Sequence, residues 1–197
     1  MSRPLPADGE VAAVLDAAAG CYLRLGVAKT TAADIARAAG ISRATLYRRY
    51  GGHEPIFLAV LERESASMAA ESQEHLRGIA DPAERVVEGM MFSISQIGSR
   101  PVHAAIFTGE SAAWAAGQAI QMEALRRIGE AAVRPLLGPP AGSGAVGDED
   151  VADLVDWIIR ILLSYAAVPG AAGMEPAGIR RQLTAWFLPG FERFLHP

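Results

Sequence analysis

The sequence predicts an all-α protein, with an N-terminal three-helix helix-turn-helix unit joined to a larger C-terminal helical bundle, about nine helices in all. Three observations carry that prediction. Alanine and leucine, both strong helix formers, dominate the chain. Apolar residues recur at spacings of three and four, and β-branched residues never alternate over a useful length. With 197 residues, 51% of them hydrophobic and 20% charged, the chain can bury a sizeable core and falls outside the disordered class.

Each element has its own signal. Val11, Val14, Leu15, Ala18, Tyr22 and Leu25 form one stripe of a first helix, which Gly26 ends. The lone Cys21 reads there as a small packing residue. A short second helix follows Thr30 and Thr31: Thr31 with Asp34 three residues on approximates a capping box, Ile35 is the buried anchor, and Gly40 stops the helix. Ser42 is a good N-cap for a third helix through Tyr50, which ends at Gly51 and Gly52. A fourth opens at His53-Glu54-Pro55 and continues through Ile56, Phe57, Val60 and Leu61.

Longer helices follow. Asp81-Pro82 starts one that reaches about Gly98, Arg100-Pro101 opens a shorter one through Phe107, and a single helix is predicted from Ser111 to about Leu137. Residues 138–147 (GPPAGSGAVG) read as a mobile loop. Asp148 begins a helix to Val168, and Pro176 one to Leu195, kinked or split at Pro189-Gly190. The predicted organisation is a helix-turn-helix domain over 1–52, the first part of a connecting helix over 53–64, and a C-terminal domain over 65–197.

Composition excludes several function classes. A single cysteine allows no intrachain disulfide and no thiolate-rich metal site. The four histidines lie at least 22 residues apart, so neither metal nor cofactor is expected. The greasiest stretch, 157–168, is about a dozen residues long and carries Arg160, whereas a spanning helix needs about 20. Asp8 and Glu10 stand where a signal peptide needs an apolar core, so the expected location is the cytoplasm. Residues 26–31 (GVAKTT) lack the glycine before the lysine that a phosphate-binding loop requires, and no strand precedes them.

Charge is distributed unevenly. The net charge is -4, yet residues 1–64 hold 8 Lys/Arg against 7 Asp/Glu, while 65–197 hold 10 against 15. Between Lys29 and His53 five basic residues face only Asp34. A compact basic segment on an acidic body is the footprint of a unit that docks on phosphate. With Leu46 and Tyr50 turned inward beside Ile41, the third helix presents Arg43, Ala44, Tyr47 and Arg48 outward. Such a surface suits the major groove: Ala44 permits close approach, Arg43 or Arg48 reaches guanine edges, and Tyr47 donates to phosphate. The N-terminus of the Thr31 helix offers unpaired N–H groups to another phosphate.

At these residues the chain resembles the TetR/AcrR family of transcriptional regulators. Residues 30–36 (TTAADIA), followed by 39–47 (AGISRATLY) and the aromatic Tyr50, match that family's T-x-x-D-I-A…A-G-[VI]-S-x-x-T-L-Y-x-x-[FY] pattern. The resemblance covers about residues 10–64. It implies phosphate contacts from Thr31 and Tyr47 and base reading by Arg43, Ala44, Thr45 and Arg48, with Ser42 and His53 in the same DNA-binding set. One departure is His53, where the family usually has a phosphate-contacting lysine. The resemblance further implies a homodimer on a palindromic double-stranded operator, most simply a repressor, with a C-terminal domain that responds to a small effector.

The C-terminal residues fit those expectations. The 157–165 helix is apolar nearly all round, and the last helix adds Leu183, Trp186 and Phe187, so Trp157, Ile161, Tyr165 and these three are the expected dimer interface. Polar groups set in apolar stripes mark an expected cavity for a hydrophobic or amphipathic ligand: Met90, Phe92, Ser93 and Gln96 on one helix, His103 and Phe107 on the next, and Trp114, Gln118 and Met122 on a third. The competing readings are a small all-α enzyme using His103 with Glu110, and a protein that merely sequesters a hydrophobe.

Overall fold

A reciprocal cap starts the second helix. In the computed structural model, which describes residues 8–137, 147–167 and 175–195, the first three helices are α1 (Asp8–Leu25), α2 (Ala32–Ala38) and α3 (Arg43–Tyr50). The Thr31 hydroxyl accepts from the Asp34 amide at 3.2 Å, and the Asp34 carboxylate accepts from the Thr31 hydroxyl at 2.6 Å and amide at 3.1 Å. Those bonds from Thr31 hold the Asp34 carboxyl below its usual range.

The turn after α2 depends on Gly40. Its φ of +67° is left-handed, and it lets the Ile41 amide donate back to the Ala36 carbonyl at 3.0 Å. Ile41 is thereby returned to the core. Ser42 then caps α3 by accepting from the Thr45 amide at 3.0 Å. Ile35 and Leu46 meet Tyr22, Phe57 and Leu61 in one interior, all of them fully buried.

The remaining elements are α4 (His53–His75), α5 (Pro82–Ser99), α6 (Pro101–Phe107), a 3₁₀ turn at Gly109–Ser111, α7 (Ala112–Gln121), α8 (Glu123–Val133) with a 3₁₀ turn at Arg134–Leu136, α9 (Asp148–Ala167), α10 (Pro176–Gln182), a π turn at Leu183–Phe187 and α11 (Leu188–Leu195). The last three follow without a gap, so the described residues form ten helical rods and no strand. The extra rod comes from a break at Met122, where one helix is expected over 111–137. No proline or glycine marks the break. It arises from packing: α7 lies on α6, α8 lies on α4, and both meet α9, so tertiary contacts override a uniformly helical local preference.

The last rod also departs from expectation. It runs through Pro189, and its irregularity lies a turn earlier, in the π segment. Proline has no N–H to donate to the carbonyl four residues back and its ring crowds that carbonyl, so widening the preceding turn keeps the rod continuous. The predicted loop over 138–147 falls, except for Gly147, outside the described residues.

One core cluster joins α1–α4 to α6 and α7 through Ile106, Phe107, Ala115 and Ala119; a second joins α5, α8, α9 and the last rod through Val87, Val133, Val155 and Phe187. Helix α4 serves both ends of the molecule. Ile56, Phe57, Val60 and Leu61 are buried against α1, and the later turns lie against α5 and α8.

Helix α8 approaches α9 at Gly129, where an added Cβ would lie 2.5 Å from Val155 Cγ1. The substitution Gly129→Ala is expected to lower stability by about 1–3 kcal/mol through overpacking, outweighing alanine's better helix propensity. Urea unfolding measures this, and an equally stable variant would show that the two helices separate without cost.

Candidate functional site: a reading face and a cavity

The outer side of α3 presents Arg43, Ala44, Tyr47 and Arg48 to solvent, while Leu46 is buried beneath them. Tyr47 has a defined seat. Gly52 has φ +122°, and an added Cβ would be 3.0 Å from Tyr47 Cε1, so the ring lies directly over the glycine. The Arg43 guanidinium in turn stands 5.4 Å from the centre of the Tyr47 ring, within cation–π range. The Ser42 and Thr45 hydroxyls are hydrogen-bonded at 2.9 Å, which leaves Thr45 half-buried. Arg49 donates to Glu10 at 2.7 Å and ties α3 to α1. A small side chain, a stacked guanidinium and a seated phenol are the groups that major-groove reading requires.

His53 is placed differently from expectation. Its ring packs edge-on against Tyr22 at 5.7 Å, and Nε2 is buried with no partner. Burial lowers its pKa, so the ring is a neutral, inward group. The physical reason is the apolar seat that Tyr22 provides beside α4. Only the N-terminus of α4 itself remains at this position to meet a phosphate.

Behind this unit lies a cavity of about 160 Å³ between α4, α5, α6, α8 and α9. Its wall is mostly apolar, with Met68, Leu76, Val86, Met90, Ile97, Phe107, Leu125 and Ile158 among its members. Small residues make the space. Ser65, Ala69 and Ser72 on α4, and Gly89 and Ser93 on α5, stand where larger side chains would fill it. His103 is 1% exposed and neither ring nitrogen has a hydrogen-bond partner. Burial, aided by the nearby Arg100 charge, pushes its pKa down to about 4, so the imidazole is neutral at pH 7. A buried neutral ring with one donor and one acceptor unused is poised for a polar atom of a guest.

On the opposite side, α9 and the last rod present an apolar groove lined by Trp157, Ile161, Tyr165, Leu183, Trp186 and Phe187. Trp186 is 80% exposed and Trp157 47%. No described helix is long and apolar enough to cross a membrane.

Residues 14–60 match the family described as bacterial regulatory proteins, tetR family. The match spans the unit from α1 to the first turns of α4. An HTH-type transcriptional regulator of Mycobacterium tuberculosis is 28% identical to the chain over 157 residues, covering 80% of this chain and 74% of that one. The fold is shared with the TetR family repressor AlkX from Dietzia sp., implicated in biodegradation of n-alkanes (TM-score 0.66, 19% identity, 94% and 97% of the two chains). It is shared also with RolR, crystallised with its ligand resorcinol (TM-score 0.67, 19% identity, 96% and 95%). These similar proteins are transcriptional regulators, and the matched segment of this chain is its helix-turn-helix unit.

Among the nine residues expected to line a ligand site, the structure brings Met90, Ser93, His103 and Phe107 onto the cavity wall. The other five lie elsewhere. Phe92 stacks on His75 at 4.9 Å, on another side of α5, and Gln96 is not on the wall either. Trp114 packs against Phe57 at 4.7 Å. Gln118 and Met122 are carried away by the break that separates α7 from α8. The sequence reading missed Arg85, Gly89 and the small residues of α4. A signal was present: Arg85, Gly89, Ser93 and Ile97 form one i, i+4 row, along which a cation is followed by space.

Of the expected interface residues, Trp157, Ile161, Tyr165 and Trp186 line the groove with side chains exposed or half-buried. Leu183 and Phe187 also line it but are buried within the protomer, at 2% and 3% exposure, because they face α5 and α9. The Tyr165 hydroxyl donates to Gln182 at 2.6 Å.

The buried imidazole has a pH consequence. Unfolded His103 titrates near 6.5 and folded His103 near 4, so between those values the unfolded chain binds the extra proton and stability falls as pH falls. The loss amounts to about 3 kcal/mol at its limit. His103→Leu is expected to flatten this part of the pH dependence in chemical unfolding, and an unchanged profile would mean the ring is solvated.

Proposed function

We propose that this protein is a homodimeric tetR-family repressor whose operator affinity is lowered by a small hydrophobic or amphipathic effector in the cavity. The observation that carries the reading is shared helices. Helix α4 begins in the interior of the DNA-binding unit and supplies Ser65, Met68, Ser72 and Leu76 to the cavity wall. Helix α6 supplies His103 and Phe107 to the same wall and packs directly on α1. Arg100, at the start of α6, donates to Glu71 at 2.7 Å and Ser67 at 3.3 Å and lies 3.7 Å from Glu64, so α6 is tied to α4. A guest that displaces α6 relative to α4 moves the reading helix with it, and coupling of this kind is reciprocal by thermodynamic necessity.

In this reading Arg43, Ala44, Thr45 and Arg48 meet base edges, and Thr31, Ser42, Tyr47 and the α4 N-terminus meet the backbone. The exposed Trp157 and Trp186 are covered by the same groove of a second copy, because a two-fold interface uses one patch twice. Two reading helices then address the half-sites of a palindrome.

Fluorescence anisotropy with a duplex from immediately upstream of the protein's own gene, against an unrelated duplex, tests the DNA claim at two salt concentrations. Preferential, salt-sensitive binding is expected. Arg43→Ala should weaken it by about 10- to 100-fold, corresponding to about 1–3 kcal/mol per lost base contact; wild-type affinity in that variant would remove Arg43 from the reading face. In sedimentation, Trp186→Asp should convert a dimer to a monomer. A wild-type protein that sediments as a monomer at micromolar concentration would contradict the interface.

A further inference from the structure

We propose that the effector is an apolar monocarboxylate, its carboxylate seated on Arg85 and its far end against the unpartnered imidazole of His103. This inference rests on the cavity being the effector site, as argued above. Among the described residues Arg85 is the only guanidinium on the cavity wall, and its Nε is buried without a hydrogen-bond partner. No aspartate or glutamate among the described residues lines the cavity to neutralise it. Of the carboxylates near it in sequence, Asp81 caps α5 through the Ala83 amide and Glu88 is held by both Nη atoms of Arg180. A guanidinium facing an apolar space without a counter-charge is a costly arrangement that an anion relieves, and the planar fork matches a carboxylate in two bonds.

The rest of the wall sets the body of the guest. Arg85 and Ile97 stand on one row of α5, roughly 18 Å apart along the axis at the helical rise. His103 lines the same cavity. The row between them is Gly89 and Ser93, and the Ser93 hydroxyl is already spent on the Gly89 carbonyl at 2.8 Å. Gln73, Ser65 and Ser72 of α4 add polar groups to the wall, and the rest of it is apolar. Being neutral, His103 cannot replace Arg85 as the anion's partner, but it can exchange a hydrogen bond with an uncharged oxygen of the guest.

Isothermal titration of the full-length protein with decanoate, 1-decanol and 10-hydroxydecanoate tests this. Decanoate is expected to bind at least 10-fold more tightly than decanol, and Arg85→Gln to abolish that advantage without weakening decanol. Arg85→Lys should retain part of it, which separates loss of charge from loss of fold. The terminal hydroxyl should improve affinity in wild type and not in His103→Leu. Decanol binding as tightly as decanoate, or decanoate affinity unchanged in Arg85→Gln, would overturn the carboxylate assignment; if decanol then still releases the protein from DNA, the regulator reading stands. If none of the three binds, the assignment also fails. Loss of operator binding in the absence of any ligand would instead count against the DNA reading.

Discussion

Everything in this molecule is arranged around α4, which is buried along its first turns and lines the cavity with its later ones. Its first turns supply Ile56, Phe57, Val60 and Leu61 to the interior that also holds Ile35 and Leu46, and each such side chain contributes about 1.5–3 kcal/mol of burial. Its later turns carry serine and alanine where leucine would have closed the space. The same rod is therefore a core element for the DNA-binding unit and a thin wall for the cavity. Packed interiors deform little, so a change at one end of a continuous helix is not absorbed along it.

The reading face is preorganised by local chemistry rather than by bulk. Gly52 admits the Tyr47 ring, Tyr47 supports Arg43, and Ser42 and Thr45 close the start of α3. Gly40 sets the angle at which α3 leaves α2. These are short-range constraints, each satisfied within a few residues. That is why a free face can still hold its side chains in one arrangement before DNA arrives.

The same distinction explains what was legible in the sequence. Caps, left-handed glycines and the inward pair Leu46 and Ile35 are local, and the helix-turn-helix could be read down to its outward residues. His53 could not be placed, because its orientation depends on Tyr22, which is distant in sequence and near in space. The break at Met122 and the π turn before Pro189 are likewise answers to packing between helices. In the cavity, large polar and aromatic residues drew attention to Phe92, Trp114 and Gln118, whereas the space is made by what is small: Ser65, Ala69, Ser72 and Gly89. An absence of volume leaves a weak mark on a sequence, and Arg85 became visible only beside that absence. Leu183 and Phe187 show the converse limit, since an apolar stripe on a helix does not say which neighbour covers it.

The central claim is that occupancy of the cavity and grip on DNA are one equilibrium. It can be tested without any effector by filling the cavity from within. The measurement is the operator affinity of Ser93→Phe, with circular dichroism and thermal unfolding confirming that the variant is folded. The account predicts at least a 10-fold loss of affinity, because the added ring presses α5 against α4 and α6 as a guest would. A folded Ser93→Phe protein that binds the operator as tightly as wild type would contradict it.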